Sequence, residues 1–210
     1  MIHHHPSPEI LSDYARGALT SGMMLVVACH VLECTVCRSE VGLWNSVGGA
    51  MLDTFDPVSL KEGALVDVLS RLDIKSVQVR SKRPRFLRSY SIPASLLRRQ
   101  IGPRRWVTPN IWFAPVKGDL LTYLVFARRN TMLSFHTHGG REFTQVLEGV
   151  FEDTAGRFGI GDFAETNESV EHAPKATSEG SCLCLISSET PMQLKYRPAR
   201  IIQSLLGKQY

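Results

Sequence analysis

The chain has 210 residues, 43% hydrophobic and 21% charged, enough for a substantial core in one large or two small domains. Its most apolar stretch, Gly22 to Leu32, is eleven residues, roughly half of a bilayer-spanning helix, and its N-terminus lacks the basic and long apolar regions of a secretory signal. Five closely spaced cysteines make a poor disulfide framework, so a membrane protein and a disulfide-stapled one are excluded and a soluble cytoplasmic protein is expected. The formal charge of +4 is unevenly spread: residues 1–74 carry four basic against nine acidic side chains, residues 75–118 eleven basic and no acidic, and residues 119–210 nine against eleven. An acidic first module beside a basic connecting segment points to two domains, the first suited to basic partner surfaces.

In chain order, Ser7-Pro8-Glu9 reads as a helix start, with a serine cap, a proline in the first turn and an acid at the positive end of the dipole. Ile10, Leu11, Tyr14 and Leu19 follow near helical spacing, and Gly17 is the stop. A second helix is expected over 21–32 and a third over 34–52, where Val41, Trp44, Val47, Met51 and Leu52 keep a helical stripe. Asp56-Pro57 breaks the chain, and a fourth helix is expected from Ser59 to Leu72. Its Leu65, Val68, Leu69 and Leu72 form an apolar face that needs something to lie against. From Lys75 the chain turns basic and proline-punctuated, and a short helix is expected around 94–100. Beyond it, short apolar runs separated by Gly, Pro, Asn and Asp ("WVTPNIWFAPV", "LLTYLVFA", "FTQVLEGVFED", "GRFGIGDFAE", "SCLCLISS", "MQLKYRP") argue for an all-β sandwich or barrel. The domain plan is therefore 1–80 helical, 81–105 a basic linker leading into the barrel, 106–200 the barrel, and 201–210 a tail.

Two clusters carry chemistry. In "CHVLECTVC", His30, Cys34 and Cys37 stand at spacings of four and three, which brings an imidazole and two thiols to one helix end. That set suits tetrahedral zinc, which needs a fourth ligand, and His3, His4 and His5 are the candidates. Cys29 faces about 100° away and reads as core. A redox Cys-x-x-Cys follows a strand in βαβ surroundings, whereas these are helical. At these residues the sequence resembles the zinc-binding anti-sigma factors, and with "HHHPSPEILSDYARGAL" in front and a β-rich part behind it resembles their ChrR subgroup. The resemblance implies an N-terminal all-α four-helix zinc-binding module holding Zn2+ through His30, Cys34 and Cys37. Its spacing of 25 residues to His30 puts the fourth ligand on His5, with His4 next.

The second cluster, "HTHGGREFTQVLEG", sets His136 and His138 two apart on one strand face, with Glu142 returning after the turn. His172 is the remaining histidine and would complete three imidazoles and a carboxylate. This matches the two motifs of the cupin barrel, a double-stranded β-helix or jelly roll, with Gly149 and Gly161 at turns. Asn130 stands where the first motif has glycine, and Asn167 and Ser169 replace the proline and glycine of the second. Zinc is the metal implied by the resemblance; iron, manganese and nickel suit the same ligands. Cys182 and Cys184 share a strand face, either oxidation-sensitive beside the metal or inert in the core.

The resemblance implies a non-enzymatic anti-sigma factor that holds an extracytoplasmic-function (RpoE-like) sigma factor, with singlet oxygen or organic peroxide as the releasing signal. The apolar face of Leu65, Val68, Leu69 and Leu72 is the expected sigma contact. The alternative is a dioxygenase-like cupin enzyme with an accessory zinc module, for which the sequence offers no separate base or substrate signature. Direct nucleic-acid binding by residues 75–118 is not expected, because they lack a recognition helix or aromatic platform.

Overall fold

The computed structural model describes residues 1–72, 83–137, 139–169, 172–191 and 193–194. Helix α1, Pro8–Ala15, starts as the sequence requires: Ser7 Oγ accepts from the Ile10 amide at 3.4 Å, Pro8 fills the first turn, and Gly17 leaves the helix at φ 71°. Helix α2, Ser21–Glu33, is capped by Thr20. It turns through 116° into α3, Thr35–Leu52, at an elbow where Cys34 ends one helix and caps the next. No single described helix is long and apolar enough to cross a membrane.

Helix α4 spans Ala64–Leu72, five residues shorter at its start than the apolar pattern implies. Gly63 adopts φ 80°, a left-handed conformation that interrupts a helix, so the segment after Pro57 does not join it. Among the described residues none of α4's side chains is buried. In α3 the buried side chains are Cys37 and Val41, and Leu43, Val47, Met51 and Leu52 are exposed. The basic segment contributes a 3-10 turn at Arg85–Leu87 and helix α5, Ala94–Leu97, where Leu87 and Leu96 are buried.

The β-rich part is antiparallel. Strands β1 (Arg105–Thr108), β2 (Ile111–Pro115), β3 (Thr122–Ala127), β5 (Glu142–Glu148), β8 (Phe163–Thr166) and β10 (Cys182–Ser188) form a six-stranded sheet in the order β1-β2-β3-β10-β5-β8. Strands β6 (Phe151–Asp153), β7 (Gly156–Phe158) and β9 (Lys175–Ala176) form a second sheet, and β4 (His136–Thr137) pairs with β11 (Gln193–Leu194). Beyond Leu194 the expected strand continuation and tail lie outside the described residues.

The centre of the large sheet is buried on both faces, which is why β3 and β10 read as nearly continuous apolar runs. Along β5, Glu142, Thr144 and Val146 point into the barrel, while Phe143 and Leu147 join the core shared with the helices. Along β10, Cys182, Cys184 and Ile186 face inward and Leu183 and Leu185 outward. The outward set packs with Ile10, Leu11, Met23, Val26 and Val27 in a single hydrophobic cluster, so helices and sheet share one core. Contact is closest at Gly22 of α2. A Cβ there would lie 1.8 Å from Thr122 Oγ1 and 2.4 Å from Ser187 Oγ, two buried hydroxyls that bond each other at 2.9 Å.

The residues before α1 complete the docking. Asp162 Oδ1 accepts the amides of His3 at 2.7 Å and His4 at 3.0 Å, and the Phe163 amide donates to the His4 carbonyl at 3.0 Å. Burial pushes the Asp162 carboxyl up, but the amides of Gly159, His3 and His4 outweigh it and hold the group below the ordinary carboxylate range.

Gly22→Ala is expected to destabilise the full chain by about 1–3 kcal/mol through overpacking, read as a lower urea midpoint. The neighbouring exposed Gly42→Ala, which meets nothing within 4 Å, should be neutral or stabilising.

Candidate metal centres

The first site forms at the α2–α3 elbow. His30 occupies the last turn of α2, Cys34 caps α3 and Cys37 follows in its first turn. His5 arrives from the clasped N-terminal segment. His5 Nδ1 lies 3.4 Å from both Cys34 Sγ and Cys37 Sγ, and His30 Nε2 lies 3.3 Å from Cys37 Sγ. A tetrahedral zinc with ligand bonds of about 2.0–2.3 Å spaces its donors roughly 3.5 Å apart, so two imidazoles and two sulfurs fit such an ion. The donor atoms of all four residues lie within 4.8 Å of one another. Without a metal, burial pushes the Cys37 thiol up to about 12, with neighbouring Cys34 adding to it. Burial also lowers His30 against the opposing effect of its bond to Gly161, so a cation displaces thiol protons and supplies the missing charge. Cys29 sits apart, 3.0 Å from Ser95 Oγ, pushed up to about 11 by burial.

The second site lies inside the barrel, where His136, Glu142 and His172 converge; His138 lies outside the described residues. His136 Nδ1 donates to the Ser134 carbonyl at 2.8 Å, and His172 Nδ1 bonds Asp153 Oδ2 at 3.0 Å. Those bonds put the ring protons on Nδ1 and turn both Nε2 lone pairs toward each other, 3.1 Å apart. Two facing imidazole lone pairs and a carboxylate form a donor set that a divalent cation fits. Burial lowers His136 to about 4 and raises Glu142 to about 8. The pocket wall adds Val125, Leu133, Phe151 and Ile186. Cys182 and Cys184 complete it with sulfurs 3.6 Å apart. The Cys184 thiol is held up by its contact with Cys182 and then by burial.

The turns that frame this site answer the motif's departures. Asn130 adopts φ 58°, the left-handed region that asparagine tolerates best after glycine. Gly149, at φ 76°, would place a Cβ 2.1 Å from the Ser181 carbonyl oxygen. Asn167 accepts from the Ser169 amide at 3.0 Å, so a side chain makes the turn that proline and glycine would otherwise make.

Several contributors escaped sequence reasoning. Asp153, Asp162 and Gln145 stand behind ligands rather than among them, and no spacing marks them. Leu43 and Phe55 are further exposed apolar residues, outside the stripe read from α3.

Fold and sites define a helical module with a cluster of two histidines and two cysteines, docked on a cupin barrel that holds a second candidate metal pocket. Residues 109–191 match the ChrR cupin-like domain family. The anti-sigma-E factor ChrR of Cereibacter sphaeroides is 31% identical over 206 residues, covering 96% of this chain and 97% of that protein. The crystal structure of Rhodobacter sphaeroides SigE in complex with the anti-sigma ChrR superposes with a TM-score of 0.73 at 30% identity, covering 90% of this chain and 100% of that one. A cupin protein of Ralstonia eutropha matches at a TM-score of 0.41 and 14% identity, over 48% of this chain and 69% of that one. The chain belongs to the ChrR family of anti-sigma factors.

The pocket's electrostatics set a pH dependence. Folding raises the Glu142 pKa from 4.5 to about 8, so the metal-free fold binds the extra proton and loses stability as pH rises through that range. His136, lowered from 6.5 to about 4, contributes the opposite slope below 6.5. Of the two, Glu142 alone acts from pH 6.5 to 8. Urea titration of the metal-stripped chain should show stability falling across that window, and Glu142→Gln should flatten the slope.

Proposed function

We propose that this protein binds and inhibits an extracytoplasmic-function sigma factor, and that its barrel senses an oxidative signal that ends the inhibition. The observation that carries this reading is the bare apolar surface of the helical part. Leu65, Val68, Leu69 and Leu72 of α4 are each more than half exposed, as are Leu43, Met51 and Leu52 of α3. An apolar area of this kind marks a protein interface. Amphipathic helices with such faces dock into or around partner helices, and the acidic balance of residues 1–74 suits a partner that must otherwise grip promoter DNA.

In this reading residues 1–80 are the four-helix, zinc-binding inhibitory module, 81–105 the basic link, 106–200 the cupin barrel and 201–210 a tail. This division is one of function, since both parts share a core. His5, His30, Cys34 and Cys37 hold Zn2+, which pins the α2–α3 elbow and the N-terminal segment to each other. His136, His138, Glu142 and His172 hold the barrel metal, zinc first, with iron, manganese or nickel chemically admissible. Cys182 and Cys184 share that pocket, so an oxidant that enters meets two thiols and the metal ligands together. Singlet oxygen or an organic peroxide is the signal that the resemblance to ChrR implies, and either would meet sulfur in the wall of that pocket. The role is regulatory and non-enzymatic, exercised in the cytoplasm, with no direct contact to nucleic acid.

The test is equilibrium binding of the full-length, zinc-loaded chain to the extracytoplasmic-function sigma factors of its source organism. Leu65→Asp with Leu69→Asp should weaken binding by about 100-fold or more, as loss of buried interface anchors does, while zinc content and melting temperature stay unchanged. Glu142→Gln should leave affinity intact. Equal affinity for the wild type and the α4 double variant would remove α4 from the interface. Failure to bind any such sigma factor would remove the function.

A further inference from the structure

The zinc-type cluster is assembled from the helical part, yet one of its ligands is oriented from the barrel. His30 Nδ1 lies 3.0 Å from the Gly161 carbonyl oxygen and 3.2 Å from Gln145 Oε1, and the Gln145 amide nitrogen donates to the same carbonyl at 3.0 Å. His30 and Gln145 are both fully buried, and the two partners of His30 lie 115 and 131 residues away in the chain. A carbonyl only accepts, so the ring must carry its proton on Nδ1, leaving the Nε2 lone pair aimed at the cluster. The same turn serves the fourth ligand: Asp162 grips the His3 and His4 amides, which sets the path of the chain into His5. Gly161 at φ 87° leaves a hollow filled by Ile2, whose Cγ1 lies 2.8 Å from where a Cβ would be. Gln145 sits on β5, whose opposite face carries Glu142 and Thr144 into the barrel pocket.

We propose that Gln145, together with the Gly161 carbonyl, is a positioning residue for the helical zinc site, so that the barrel forms the outer coordination sphere of that zinc and governs how firmly it is held. The proposal rests on the helical cluster holding zinc. Partners behind a ligating histidine fix its tautomer and ring orientation, and losing one costs about 10–100-fold in metal affinity. This gives β5 a role at both metal sites: one face presents a ligand to the barrel pocket, the other orients a ligand of the helical site. A change of state in the pocket then has a short path to the zinc, along β5 from Glu142 to Gln145 and on through the Gln145–His30 hydrogen bond.

A purely structural Gln145 makes the opposite ranking of variants. Leucine is close in size and removes the buried polar atoms, whereas glutamate places a carboxyl in a fully buried position. For fold stability alone, leucine is the milder change. For zinc, glutamate is milder, because it keeps an acceptor oxygen facing His30 Nδ1 and, protonated as full burial favours, it still donates to the Gly161 carbonyl in place of the amide.

The experiment uses full-length protein loaded with zinc, and measures zinc transfer to a colorimetric chelator, with cobalt substitution reporting coordination in the visible spectrum. Gln145→Leu is expected to release zinc about 10–100-fold faster and to perturb the tetrahedral cobalt bands, while Gln145→Glu stays close to wild type in both. Gln145→Met serves as a second apolar variant should leucine disturb folding, with the same acceleration expected. Wild-type release rate and cobalt spectrum in the apolar variants, or faster release from Gln145→Glu than from Gln145→Leu, would overturn the proposal. A wild-type zinc content unaltered by Cys34→Ser with Cys37→Ser would instead overturn the underlying zinc assignment.

Discussion

The seating of α2 on the outer face of the six-stranded sheet is the constraint on which the rest of the structure depends. It buries Met23, Val26 and Val27 against Phe143, Leu183 and Leu185, and it needs Gly22 to bring the helix within reach of Thr122 and Ser187. That contact decides where the elbow at Cys34 lies, and therefore where His30 meets the Gly161 turn. It also leaves α4 and the second half of α3 projecting with their apolar side chains uncovered. One surface of α2 thus settles both what the helical part holds and what it leaves bare.

The two candidate metal sites differ in how they treat charge. At the elbow, a cation would replace the proton that burial otherwise keeps on the Cys37 sulfur. In the barrel, burial favours a protonated Glu142 and a neutral His136, and a cation would supply the countercharge. Asp153 behind His172 shows the difference at close range. Burial alone would raise its carboxyl, but the bond to His172 and the amides of Ala155 and Gly156 lower it below the ordinary value, leaving a fixed negative partner for a ligating ring.

Local chemistry made much of this legible in the sequence. Ser7-Pro8-Glu9 and Gly17 delimit α1 as read, α2 and α3 fall within a residue of the expected 21–32 and 34–52, and the strands fall on the apolar runs between turn residues. The left-handed Asn130 shows why a departure from the barrel motif was tolerable. Three things were not legible. The start of α4 depended on a backbone conformation at Gly63 that apolar spacing does not encode. The burial of Leu87 and Leu96 lies in a segment whose charge masks two apolar anchors. Gln145, Asp153 and Asp162 act across separations of 115, 19 and 159 residues, and polar residues that orient ligands leave no local periodicity to read.

In the proposed function the uncovered faces of α3 and α4 are covered by a sigma factor while the barrel stays behind them. Hydrogen–deuterium exchange of the full-length chain, alone and saturated with its extracytoplasmic-function sigma factor, tests this most directly. Slowed exchange across residues 43–55 and 64–72, with β5 and β8 unchanged, is the predicted result. Unchanged exchange in both helices, with protection appearing at the barrel mouth around His136 and His172 instead, would contradict it.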